Sequence, residues 1–254
     1  MKINDVLSLL ERKVPLSLSD AACKTLGAYD NSGFIIDGGA AETDCVVFAL
    51  DLTADALRLA KDCGAKLIIT HHPAIYRPIK SVRGVYTDCI ASSVSVYSTH
   101  LSLDTACGGI EDGLARAIGA EQTKILEPTA DGYGFGRYFE ITEQTFKSVI
   151  EKLNRSFATD KMLAFGDENR QISKVASFCG AGLDEAAIEN AGDADLLVSA
   201  DISHHVLLAA LEKGKCVLQL THYASEVFAM KAFCEAFCKE NDINHKFYID
   251  ERFL

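Results

Sequence analysis

The chain has 254 residues, 48% of them hydrophobic and 24% charged, which is the profile of a soluble globular protein with room for one large or two ordinary domains. Its formal net charge of −11 argues against a general nucleic-acid or membrane-surface binder, because both need a basic face. Nine cysteines are scattered without a CxxC pair, and an odd number cannot pair completely within one chain, so free thiols and a cytoplasmic location are expected.

Residues 1–14 have the spacing of an amphipathic helix, with Ile3, Val6, Leu9 and Leu10 on one face and Pro15 ending it. The first residues carry no apolar signal core and no run approaches membrane-spanning length, so no membrane partner is expected. Ala28 to Phe34 contains Asp30-Asn31-Ser32-Gly33, strong turn chemistry that reads as a plain loop. Cys45 to Leu50 is a buried strand ending in Asp51. Thr53 is placed to cap a helix over 54–63, and Gly64 stops it. Lys66 to Thr70 is a second strand. A strand, a helix and a strand in so short a span make a βαβ unit with parallel strands.

His71, His72 and Pro73 follow directly. The residue before a proline is held extended, and neighbours on an extended backbone point to opposite sides. Two adjacent imidazoles therefore serve two different metal ions better than one. Arg77 and Lys80 in the next loop could attract an anionic substrate, although ordinary exposed charges explain them equally well. A helix over 84–92 leads to a strand over 94–99 that runs into His100, with Asp104 four residues on. Gly108-Gly109 precedes a helix over 110–118. The polar, turn-rich stretch 119–133 is the best boundary, dividing the chain into units 1–125 and 126–254.

The second unit reads as strands over 134–141, 161–165, 172–179, 196–200, 216–221 and 245–249, with helices over 143–153, 184–191, 203–211 and 222–238. In both halves a strand, a helix and a buried strand deliver a histidine at the strand's carboxyl end, at Thr70-His71 and at Thr221-His222. The expected fold is α/β: two related α/β units with mixed, largely parallel sheets flanked by helices, and a metal site between them.

Functional groups in such sheets gather beyond the carboxyl ends of the strands. His71, His72, His100 and His222 all sit there, with Asp104 and Glu226 four residues past a histidine. Imidazole and carboxylate without thiolate suit Zn, Fe, Mn, Co or Ni as divalent ions. Six ligands are too many for one catalytic ion but fit a pair, which can activate water and polarise a substrate oxygen. Glu226 is the candidate bridge. Asp201, His204 and His205 form a further group. His205 and Asp201 are candidates for proton transfer or substrate contact, whereas Asp201 could equally cap a helix and His204 face solvent.

The segments Tyr29 to Phe34, Ile69 to Lys80, Ser98 to Asp104, Ser199 to His205 and Thr221 to Glu226 resemble, in order, the blocks of the GTP cyclohydrolase 1 type 2-like family, the Nif-three-like group of dinuclear-metal proteins. The chain is similar to its short form, without an inserted domain. The resemblance implies a two-domain α/β fold, a pair of divalent metal ions per chain and a ring-shaped homo-hexamer. It carries metal-binding roles onto His71, His72, Asp104, His222 and Glu226, with His100 as an outer support or extra ligand. Tyr29 stands where tryptophan is usual, Ser199-Ala200-Asp201 replaces Thr-Gly-Asp, and Ser102 replaces a frequent asparagine; none of these removes a ligand. The implied activity is metal-dependent hydrolysis of a small-molecule substrate, with anionic, nucleotide or phosphorylated compounds as candidates. The alternative is a non-enzymatic metal-binding, storage or protein-interaction scaffold. Nucleic acid is disfavoured by the acidic charge.

Overall fold

A computed structural model describes residues 1–157, 159 and 161–254. In chain order the elements are α1 (Ile3–Lys13), α2 (Leu16–Leu26), β1 (Gly33–Ile36), β2 (Val46–Ala49), α3 (Ala54–Asp62), β3 (Leu67–Thr70), α4 (Val85–Ala91), β4 (Ser95–Ser98), α5 (His100–Thr105) and α6 (Ile110–Ile118). There follow β5 (Lys124–Ala130), β6 (Tyr133–Thr145), α7 (Phe146–Ser156), β7 (Leu163–Phe165), β8 (Gln171–Ser177), α8 (Glu185–Asn190), β9 (Leu196–Ala200), α9 (His204–Glu212), β10 (Cys216–Leu220), α10 (His222–Glu240) and β11 (His245–Tyr248), then a 3-10 turn at Glu251–Phe253.

Two compact units form, Met1–Ala106 with Met230–Ile249, and Cys107–Ala229 with Asp250–Leu254. They differ from the expected division at 125/126. The polar stretch 119–133 supplies β5, and β11 pairs with β2, so the end of the chain returns to the first unit. Helices α2 and α5 were not apparent in the sequence. α2 starts directly after Pro15, and α5 is only six residues long and begins at the histidine that ends the strand reading.

The first unit holds a five-stranded sheet in the order β1-β4-β3-β2-β11. β2, β3, β4 and β11 are parallel, and β1 runs antiparallel to β4. Every residue of β2, β3 and β4 is buried, as expected of parallel strands covered on both faces. Thr53 caps α3 by accepting from the Ala56 amide at 3.1 Å, as its position predicts. Val47, Leu57, Ile68 and Val96 belong to one core beneath that helix.

The second unit holds a six-stranded sheet in the order β5-β6-β8-β9-β10-β7, with β8, β9 and β10 parallel and the outer pairs antiparallel. Asp184 and Ser203 cap α8 and α9 through the amides of Ala187 and Val206, so Asp201 is not the cap of α9. Phe178, Leu197, Val206 and Val217 lie in its core.

Asp195 locks β8 to β9. Its carboxylate accepts from the Ser173 and Lys174 amides at 3.1 and 3.0 Å, and its own amide donates to the Lys174 carbonyl at 2.8 Å. Burial pushes this carboxyl up, but the amide bonds outweigh it and hold the group below the usual carboxylate range. The stabilisation is thus present above that range and lost as pH falls through the lowered value. Asp195→Ala is expected to cost about 1–3 kcal/mol, since it leaves amide donors without their acceptor; the urea midpoint at neutral pH measures it. No described helix is long and apolar enough to cross a membrane.

Candidate metal centre

In the first unit the carboxyl ends of β2, β3 and β4 lie side by side and present Asp51, His71, His72 and His100. The His71 and His72 amides donate to the carbonyls of Ala49 and Leu50, extending the ladder by two residues, and the His100 amide donates to the His71 carbonyl at 2.8 Å. The backbone of the motif is therefore held as rigidly as the strand. The three rings cluster, with centroids 5.0 Å apart for His71 and His72, 5.6 Å for His71 and His100, and 5.9 Å for His72 and His100. Because His100 starts α5, Asp104 lies one turn along the same helix, and its Oδ1 comes 3.3 Å from His71 Nε2.

His72 Nδ1 donates to Asp51 Oδ1 at 2.8 Å, and His100 Nδ1 donates to Asp30 Oδ1 at 2.7 Å. A carboxylate can only accept, so each bond fixes the tautomer in which Nε2 carries the lone pair. This is the support that metal-ligating imidazoles usually have. Asp30 is itself tightly held, accepting from the Ser19 and Ser32 hydroxyls at 2.5 and 2.6 Å and from the Asn31 amide at 2.8 Å. Burial pushes its carboxyl up, but the bonds from His100, Ser19 and Ser32 prevail and leave it well below the usual range. The turn that reads as a plain loop is thus part of the site, and Asn31 also ties it to the Ile75 carbonyl at 2.6 Å. Arg77 and Lys80, farther along that loop, are exposed.

In the second unit Asp201 directly follows β9 and His222 lies two residues past β10, on neighbouring parallel strands. His222 Nδ1 donates to Asp201 Oδ2 at 2.6 Å. The positive φ of Asp201, 47°, turns that residue out of the strand, a conformation aspartate tolerates better than most. His222 opens α10, so Glu226 shares its face, with Oε1 3.2 Å from His222 Nε2. Since Nδ1 holds its proton for Asp201, Nε2 and the carboxylate are both acceptors unless a further proton or a cation lies between them. A tetrahedral or octahedral cation with nitrogen and oxygen ligands near 2.0–2.2 Å would space them by about 3.0–3.4 Å. His71 Nε2 and Asp104 show the same spacing. Asp104 and Glu226 are only 5% and 3% exposed, and burying carboxylates is costly without compensation. The donor chemistry of both units therefore fits divalent metal ions.

Gly180 sits against this second group. A Cβ there would lie 2.6 Å from Glu226 Oε1 and 3.1 Å from His222 Cε1, and its φ of +50° also favours glycine. Gly180→Ala is expected to displace Glu226 and weaken metal binding about 10–100-fold, the scale at which disturbed support of ligands acts; titration calorimetry with zinc measures it. Of the other residues singled out in the sequence, His204 and His205 are exposed on α9, with ring centroids 5.8 Å apart.

The two units repeat one device. Asp51 and His72 end β2 and β3 around α3, and Asp201 and His222 end β9 and β10 around α9; in both the aspartate precedes its histidine by 21 residues. The weak echo visible in the sequence is therefore matched in hydrogen bonding, with His72 rather than His71 as the counterpart of His222. The roles of Asp30, Asp51 and Gly180 were missed, since no local pattern marks them.

The model of the Duf34/NIF3 (NGG1p interacting factor 3) family matches residues 1–251. The chain is 29% identical over 238 residues to a GTP cyclohydrolase 1 type 2 homolog of Clostridium perfringens, covering 89% of this chain and 87% of that protein. It is 28% identical to the homolog of that name from Methanocaldococcus jannaschii, covering 96% and 97%. Among solved structures it is similar to reduced HcgD from Methanocaldococcus jannaschii, with a TM-score of 0.77 and 26% identity over 97% of each chain. A hypothetical protein of Staphylococcus aureus shares the fold, with a TM-score of 0.84 at 22% identity over 98% of this chain and 97% of the other. The chain belongs to the Duf34/NIF3 family.

Proposed function

We propose that the protein is a metal-dependent hydrolase whose strand-end residues hold a pair of divalent ions. His71, His72, Asp104, His222 and Glu226 would be the ligands, with His100 as a further ligand or an outer support. The observation that carries this reading is the repeated pairing of imidazole Nδ1 with a carboxylate, at His72, His100 and His222, which leaves each Nε2 oriented as a ligand. When bound, such a pair supplies Lewis acidity and lowers the pKa of water. Asp51, Asp30 and Asp201 orient the imidazoles; we assign Asp201 this positioning task ahead of proton transfer. His205, exposed on α9, is the candidate to shuttle protons. Arg77 and Lys80 are placed on an exposed loop where an anionic small molecule, nucleotide or phosphorylated, could meet them. The ring-shaped homo-hexamer belongs to the same proposal, and light scattering should return six chain masses.

The test is metal analysis of protein purified without chelators, followed by turnover on nucleotide and phosphoester panels. About two equivalents per chain that depend on the histidine–carboxylate ligands, and hydrolysis that is lost in His71→Ala but not in a loop control, support the reading. Fewer than one equivalent after reloading sinks the metal pair. A loaded protein inert on every panel would instead favour the metal-binding scaffold. Asp51→Asn and Asp201→Asn are each expected to lower metal affinity about 10–100-fold while leaving the fold intact, as read by competition with a chromogenic chelator and by circular dichroism.

A further inference from the structure

Away from the strand ends, α10 and β11 bring together three groups that the hydrolase reading does not use. Cys234 and Cys238 are one turn apart on α10 and both buried, and His245 opens β11, the edge strand beside β2. One ligand atom from each of the three lies within 4.8 Å of the others. Cys234 and Cys238 lie side by side, and Cys45, just before β2, is close enough to feel the charge of Cys238.

The approach of the histidine is built into the backbone. After the helix, the Ile243 amide donates to the Cys238 carbonyl at 2.9 Å, and Asp242 takes the left-handed conformation with φ 53°, so a tight turn carries the chain from the second cysteine to the histidine. The His245 Nδ1–H donates to the Ile243 carbonyl at 3.2 Å, and since a carbonyl can only accept, Nε2 bears the lone pair. A ring nitrogen fixed by a backbone carbonyl is the usual support of a metal-bound imidazole.

We propose that Cys234, Cys238 and His245 form a second, thiolate-rich site for a zinc-type divalent cation, separate from the histidine–carboxylate ligands. Zinc at about 2.3 Å from sulfur and 2.0–2.1 Å from nitrogen needs its ligand atoms about 3.5–3.8 Å apart, a small closure from the present spacing. Charge selects the ion. Binding displaces one proton from each thiol into solvent, and two thiolates, a neutral imidazole and a divalent cation sum to zero, whereas a monovalent copper ion would leave a buried negative charge. Water completes the fourth position on the half-buried side of His245. The cation would pin the end of α10 to the edge of the sheet.

Cobalt(II) added to chelator-stripped, reduced full-length protein is the probe, because thiolate ligands give a charge-transfer absorption that imidazole and carboxylate ligands do not. One cobalt per chain with this band is expected in the wild type and in His71→Ala/Glu226→Gln, with loss of the band in Cys234→Ser/Cys238→Ser and its displacement by one equivalent of zinc(II). No band in the wild type overturns the site, as does a band that survives the double cysteine substitution. Should that variant fail to fold, X-ray absorption of the cobalt-loaded His71→Ala/Glu226→Gln protein decides: two sulfur neighbours with at least one imidazole nitrogen uphold the site, and fewer sulfurs overturn it.

Discussion

At pH 8, chelator-stripped Glu226→Gln protein is expected to unfold at a higher temperature than chelator-stripped wild type, and metal-loaded wild type to exceed both. The order follows from burial. Glu226 is 3% exposed and faces His222 Nε2 at 3.2 Å. At pH 8 an ordinary carboxyl is charged, and a buried carboxylate is costly without a cation beside it. Glutamine keeps the shape, removes the charge and can donate through its amide. Metal reverses the balance, because a ligand present at about 100 times its Kd stabilises the folded state by about 2.7 kcal/mol. The variant should retain at most one ion per chain at the histidine–carboxylate ligands, and hydrolysis should fall at least about 100-fold, the scale of losing one strong charge-stabilising group. If stripped Glu226→Gln were less stable than stripped wild type, a proton rather than a cation would join the two side chains, and the metal assignment at His222 would fail.

Arg137→Ala should have the largest effect on stability, a loss of about 3–5 kcal/mol. Arg137 is among the largest fully buried side chains, at 2% exposure on β6. Its Nε donates to Asp112 Oδ1, and its Nη1 donates to the Gly134 and Gly136 carbonyls at 2.8 and 3.0 Å. Truncation leaves a half-buried carboxylate and two carbonyls without their donor, and opens a cavity besides. Arg137→Lys cannot restore the forked geometry and should recover only part of the loss. Asp112→Asn in the same background should be less harmful than either change predicts by addition, because the orphaned charge goes with it. Urea unfolding of the four proteins in this cycle measures the coupling, and strict additivity would show that Arg137 acts by packing alone.

The elements most legible in the sequence are those with local signals. β2 and β3 are unbroken apolar runs, Thr53 and Gly64 bracket α3, and Pro73 keeps His72 extended. Less legible were α2, which follows Pro15 directly, α5, only six residues long, and β5, whose polar, half-exposed residues hide a strand that only its pairing with β6 reveals. The site divided along the same line. Histidines at strand ends announced themselves, whereas Asp30 lay in a turn with every mark of an ordinary loop and finds His100 across 70 residues. The nine cysteines are scattered in sequence without a CxxC pair, and only the turn after α10 sets His245 beside Cys234 and Cys238.

By itself the sequence determined which segments are buried strands, where histidine and carboxylate stand at their ends, and the ordered blocks of the Duf34/NIF3 family. Those features depend on neighbouring residues, and periodicity and turn chemistry report neighbours faithfully. Tertiary structure alone decided which carboxylate orients which imidazole and which glycine makes room for Glu226. Those partners meet only because strands pair in a given order and register, and that order is the outcome of packing over the whole chain.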